Sequence, residues 1–118
     1  ELGDGTTNFS SSPIQIMSDK KFIDVAATYD SSMALDNEGN LWVWGYNSYG
    51  QFGTGSKNQI SIPTKLNTTI KVKSIYGSSG IFYIIDSDNN LWGCGDNRNG
   101  FLGNGTNTDS YEFIKITD

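Results

Sequence analysis

The fold is decided by one stretch, Leu41-Trp42-Val43-Trp44-Gly45-Tyr46-Asn47-Ser48-Tyr49-Gly50-Gln51-Phe52-Gly53-Thr54-Gly55. It returns fifty residues later as Leu91-Trp92-Gly93-Cys94-Gly95-Asp96-Asn97-Arg98-Asn99-Gly100-Phe101-Leu102-Gly103-Asn104-Gly105. Its last part is present a third time, since Leu2-Gly3-Asp4-Gly5-Thr6 matches both Phe52-Gly53-Thr54-Gly55-Ser56 and Leu102-Gly103-Asn104-Gly105-Thr106. Residues 25–56 and 75–106 align without a gap, with 9 of 32 positions identical. Four of those are Gly, one is Trp and two are Asn, residue types whose roles are set by geometry. A fixed period of this length marks stacked structural units rather than one continuous fold.

Within each unit the pattern is of short strands and turns, with no helical period. Phe22–Thr28 and Val72–Gly77 are apolar and β-branched, and Ser32–Asp36 and Phe82–Asp86 form a second run. Asp36-Asn37-Glu38-Gly39-Asn40 and Asp86-Ser87-Asp88-Asn89-Asn90 carry turn chemistry between apolar runs, which predicts hairpins into third strands at Leu41–Gly45 and Leu91–Gly95. Fourth strands are expected after the proline positions, at Ile14–Ile16, Thr64–Leu66 and Ile114–Ile116. Four short antiparallel strands per fifty residues is the make-up of a propeller blade, so the expected class is all-β. The expected organisation is 1–21 as the tail of a preceding repeat, 22–71 as repeat one and 72–118 as repeat two.

The Trp, the Asn and the four spaced Gly of 41–55 and 91–105 resemble the signature of the regulator of chromosome condensation repeat family. The resemblance covers nearly the whole chain. It implies a β-propeller, commonly of seven blades, that serves as a protein-binding platform. The wording Leu2-Gly3-Asp4-Gly5-Thr6-Thr7 resembles bacterial members, which implies an extracellular or cell-surface location. The chain departs from the family where a Gly and a His usually stand between the first two strands: it has Thr28 and Ser31, then Ser78 and Ile81. Cys94 replaces the Trp44 of the first unit, and Phe113 stands where a Pro is expected.

Composition narrows the function classes. The chain of 118 residues has 13 acidic and 8 basic side chains, net −5, which disfavours binding to a phosphate backbone. No stretch approaches the ~18 apolar residues of a spanning helix, and no basic-then-apolar leader opens the chain. Membrane insertion is therefore not expected. With no His, a Ser-His-Asp triad or a His-based metal site cannot be built from this chain. The one cysteine forbids an internal disulfide.

The repeated glycines at 50, 53 and 55 and at 100, 103 and 105 could cradle a phosphate, but neither a Lys-Ser/Thr nor a helix follows them. Turns needing positive φ explain them. Asp86–Asn90 resembles the start of a calcium loop, yet Leu91 and Asn97 occupy the positions that need Gly and Glu, leaving a hairpin turn. Trp42 and Trp92, equal in phase, are expected to pack between neighbouring blades. Cys94 is expected to be an inert buried thiol. The Asn-x-Ser/Thr sequons at Asn8, Asn67 and Asn104 are about as many as composition yields by chance.

Repeat scaffolds hold their framework constant and vary loops on one face. The two units diverge most at Thr28-Tyr29-Asp30 against Ser78-Ser79-Gly80, and around Tyr46 and Tyr49 against Asp96, Arg98 and Asn99. The expected partner-binding residues are therefore Tyr29, Asp30, Tyr46, Tyr49, Arg98 and Asn99, with no catalytic residue, metal or cofactor. The expected function is a non-enzymatic protein-protein interaction module. The resemblance also implies two kinds of relative, the propeller proteins that cap β-lactamases and the guanine-nucleotide exchange factors for Ran-like small GTPases. The uniform units show no projecting element of the kind an exchange factor inserts. A hydrolase lacks a His and any carboxylate pair recurring outside turns. Two blades leave flanking faces uncovered, so the chain is expected to be a piece of a longer propeller, or to complete a ring with further copies.

Overall fold

The computed structural model describes residues 2–116, so Glu1, Thr117 and Asp118, at the ends of the first and last expected units, lie outside the described residues. Eight strands follow in order: β1 (Phe22–Ala27), β2 (Ser31–Asp36), β3 (Leu41–Gly45), β4 (Ile60–Lys65), β5 (Val72–Ser78), β6 (Ile81–Asp86), β7 (Leu91–Gly95) and β8 (Ser110–Lys115). They form two four-stranded antiparallel meanders, β1-β2-β3-β4 and β5-β6-β7-β8, and no helix occurs among the described residues. The repeat extends to the irregularities: register shifts at Phe22/Asp24 and Val43/Gly45 recur at Val72/Ser74 and Gly93/Gly95.

At Gly45 and Gly95 only glycine fits. Their φ angles are 106° and 116°, and a Cβ there would collide with the carbonyl oxygens of Asp30 and Gly80 respectively. The third strand of each blade thereby runs directly under the turn between the first two strands.

Two strand expectations change. The fourth strands begin earlier, at Ile60 and Ser110, and Pro63 lies inside β4. That strand is an edge, so one missing N–H breaks no ladder bond with a further neighbour. Ile14–Ile16 is not a strand. A strand needs a partner, and among the described residues no strand pairs with it.

Residues 2–16 nevertheless lie on the first blade as residues 52–66 lie on the second. A Cβ on Gly3 would stand 2.9 Å from Trp44 Nε1 and 3.1 Å from Pro63 Cγ. One on Gly53 would stand 3.4 Å from Cys94 Sγ and 2.6 Å from Phe113 Cδ2. Each of these partners is shifted by the same fifty residues.

One core joins the blades. Met33 pairs with Val43 and Leu35 with Leu41 across β2–β3, and all four are buried on the face toward blade two. Blade two answers with Ile75, Phe82 and Ile84, while Phe52 and Leu66 fill the seam. The Phe52 and Phe82 rings stack with centroids 6.4 Å apart. Polar ties cross between blades as well, among them Ile75 N donating to Asp24 Oδ2 at 3.1 Å and Tyr29 N donating to the Ser79 carbonyl at 3.1 Å.

Candidate partner-binding surface

In an antiparallel meander the first and third connections emerge at one end and the second at the other. The β1–β2 turn and β3–β4 loop of blade one thus share an end with the β5–β6 turn and β7–β8 loop of blade two. All six sequence-expected residues lie in those connections: Tyr29 and Asp30, Tyr46 and Tyr49, Arg98 and Asn99. Backbone hydrogen bonds knit the end together, with Tyr46 N donating to the Asp30 carbonyl at 2.9 Å and Asp96 N to the Gly80 carbonyl at 3.0 Å.

The long loops are held by the signature asparagines from beneath. Asn47 is buried; its Oδ1 accepts from Phe52 N at 3.0 Å and its Nδ2 donates to the Ser56 carbonyl at 2.9 Å. Asn97 does the same fifty residues on, accepting from Leu102 N at 2.9 Å and donating to the Thr106 carbonyl at 3.0 Å. The loops therefore pull Phe52 and Leu102 into the interior, both fully buried. The glycine-rich stretch is framework, as its recurrence implied.

The six residues divide into two groups. Tyr29 is 85% exposed and Tyr46 49% exposed, and Asp30 and Asn99 are also exposed. Tyr49 is half-buried and lies against Gly80 of the second blade, where a Cβ would come within 2.7 Å of its ring. The Arg98 guanidinium sits 4.7 Å from the Tyr49 ring centroid and grips Asp96 through two hydrogen bonds, of 2.9 and 2.7 Å. The Arg98 hydrogen bond holds the Asp96 carboxyl below the usual carboxylate range, and the same pairing drives the Arg98 value up. Tyr49 and Arg98 thus clasp the blades together, a role invisible to sequence because the two residues are 49 positions apart.

At the opposite end the acidic turns have a structural duty that the sequence reading missed. Asp36 Oδ2 accepts from Trp42 Nε1 at 2.9 Å and Asn40 Nδ2 at 3.0 Å, while its Oδ1 accepts from the backbone of Glu38 and Asn40. Asp86 repeats this with Trp92, Asn90 and Asp88. Burial opposes ionisation of Asp36 most strongly, but the Trp42 indole and the Asn40 and Glu38 donors together lower it to about 2. For Asp86 the Trp92 indole is the main cause, again lowering it to about 2. The spacing Asp-x3-Asn-x-Trp was the available signal, since all three members recur at the fifty-residue offset.

Trp92 meets the expectation of packing between blades, and Trp42 holds the same place in blade one. Each is half-buried and tied to its Asp, but only Trp92 packs against the interblade core. Trp42 faces away from blade two, with the Lys20 ammonium 5.7 Å from its ring centroid. Cys94 is fully buried, donates to the Gln51 carbonyl at 2.9 Å and has its thiol pushed well up by burial.

Two family models, each described as the Regulator of chromosome condensation (RCC1) repeat, match residues 22–51 and 38–83, together more than half of the chain. The second match runs from the β2–β3 turn into β6, so the sequence repeat and the blade are out of phase. Among solved structures, human WBSCR16 superposes with a TM-score of 0.76 at 24% identity, over 87% of this chain and 27% of that one. Yeast RCC1 (Prp20), in a structure bound to Kap60, gives 0.78 at 19% identity, over 89% and 26%. A separate structure of Saccharomyces cerevisiae Prp20p, described with its binding properties to Gsp1p and histones, gives 0.78 at 19%, over 89% and 27%. The chain spans about a quarter of the length of these proteins.

Proposed function

The chain belongs to the regulator of chromosome condensation repeat family, and from that premise we propose that it is a non-catalytic protein-binding unit of a propeller of that type. Within it, residues 22–71 and 72–118 are successive repeats and 1–21 is the tail of the one before. The partner is a protein held at the end that carries the β1–β2, β3–β4, β5–β6 and β7–β8 connections. The observation that carries this reading is the pairing of Tyr29 and Tyr46, two exposed tyrosines on adjacent connections whose backbones are hydrogen-bonded through Asp30. Tyrosine gives large amphipathic contact area at low entropic cost, and it anchors protein interfaces. Asp30 and Asn99 add polar groups around that pair, while Tyr49 and Arg98 fix the relative position of the two blades' loops. Protein binding is also what is described for one of the yeast structures that share the fold.

A photo-crosslinking residue placed at position 46, compared with one at position 38 on the opposite end, tests the reading. The expected result is one discrete protein adduct from position 46, lost when Tyr29 is changed to Ser. Equal adducts from both positions would refute it. Acceleration of nucleotide release from a Ran-like GTPase would replace it with the exchange-factor reading.

A further inference from the structure

A groove of about 590 Å³ runs along the outside of the seam between the two blades. Leu66 and Ile70 of the β4–β5 connection, Trp92 of β7 and Phe113 of β8 give it apolar walls, and Glu112 of β8 is its one charged lining residue. The lining comes from residues 53–54, 66–70, 92 and 112–113, so this pair of blades forms the groove by itself. The Glu112 carboxylate points toward the first blade's loop, where a Cβ on Gly55 would stand 3.5 Å from its Oε1. It makes no ion pair among the described residues.

The first blade has a counterpart groove, lined at the fifty-residue offset by Gly3, Ile16, Met17, Ile62 and Pro63, but its chemistry is reversed. There the chain supplies its own cation, the Lys20 ammonium 5.7 Å from the Trp42 ring centroid, and Ile62 stands in the wall. Fifty residues on, Lys20 becomes Ile70 and Ile62 becomes Glu112. The second groove has thus lost its internal ammonium and gained a carboxylate. Among the described residues no cation lies over Trp92. Lys115 pairs with Trp92 across β7–β8 and Lys71 lines an adjoining hollow, yet neither lines this groove.

We propose that this groove is a binding site for a lysine side chain presented by a partner protein. The incoming ammonium meets the Trp92 ring and the Glu112 carboxylate, taking the part that Lys20 plays for Trp42. The four-carbon stem lies along Leu66, Ile70 and Phe113, which shelter its methylenes while the charge is paired. The net charge of −5 draws a basic segment toward the chain. The site is on the flank of the blades and not at the connection-bearing end, so it stands or falls apart from the proposed partner surface.

The test follows the Trp92 indole resonance of the full chain by NMR, assigned with Trp92→Phe, as a peptide is titrated in. The peptide has neutral caps and a single lysine among Gly and Ser residues. A saturable shift is expected, and none from the twin peptide that carries norleucine in place of lysine. Glu112→Gln should weaken binding about tenfold, the scale of one lost charge-assisted contact. Ile70→Lys restores an internal ammonium as in the first blade and should abolish binding in a chain that circular dichroism shows to be folded. No shift with the lysine peptide, an equal shift with norleucine, or unchanged affinity in Glu112→Gln overturns the proposal, as does a folded Ile70→Lys that binds like wild type. If Ile70→Lys does not fold, Glu112→Lys serves instead: its position is exposed, so the fold is kept, and binding that survives the like charge overturns the proposal equally.

Discussion

Trp42 and Trp92 are the same residue by sequence and different residues by environment, and truncating each should separate the two. Both indoles donate to a carboxylate at 2.9 Å. Losing a hydrogen bond to a charged acceptor costs about 1.5–3 kcal/mol. Trp42→Ala loses that bond and a ring that does not pack against the interblade core, so about 1.5–3 kcal/mol is expected. Trp92→Ala also removes a ring packed against the interblade core, and large-to-small aromatic changes there cost about 3–5 kcal/mol. A domain of this size has about 5–15 kcal/mol to lose, so both variants remain measurable. The control is Trp→Phe at each site, which keeps a ring and deletes the N–H, and should cost the two sites about equally. Urea titration followed by circular dichroism reads all four variants. Equal losses for the two Ala variants, or an unequal pair of Phe variants, would show that the interblade seam does not distinguish the tryptophans.

Other outcomes follow from the same contacts. Asp36 and Asp86 have folded values near 2, below the ~3.9 of an unfolded Asp, so their stabilisation is full above about pH 4 and is lost as pH falls through about 2. The urea midpoint should drop across that window, and less steeply in Asp36→Asn. Gly45→Ala and Gly95→Ala should fail to give a native fold by circular dichroism. Gly39→Ala, with φ of 85° but open space around it, should cost only about 1 kcal/mol by urea titration. Tyr29→Ser and Tyr46→Ser should leave stability within about 0.5 kcal/mol of wild type in the same titration, because both rings stand in solvent.

What the sequence determined by itself is everything that depends on short-range geometry. Positive-φ glycines, Asp-Asn turns and apolar alternation act within a few residues, so their recurrence at a fifty-residue offset was enough to place three strands of each blade, the hairpins between them and the family they belong to. The same recurrence marked which connections vary and therefore where to look for a binding surface. What only the tertiary structure decided depends on what lies across a gap. Ile14–Ile16 has the sequence of a fourth strand but, among the described residues, no third strand beside it, and a ladder of hydrogen bonds cannot be made by one side alone. Trp42 and Trp92 share a phase and are both half-buried, yet only Trp92 packs against the seam between the two described blades. Tyr49 and Arg98 have the chemistry of interface anchors and are also joined across the seam, because the β3–β4 loop of one blade reaches over the β5–β6 turn of the next, and long-range stacking of that kind leaves no periodic trace in a sequence.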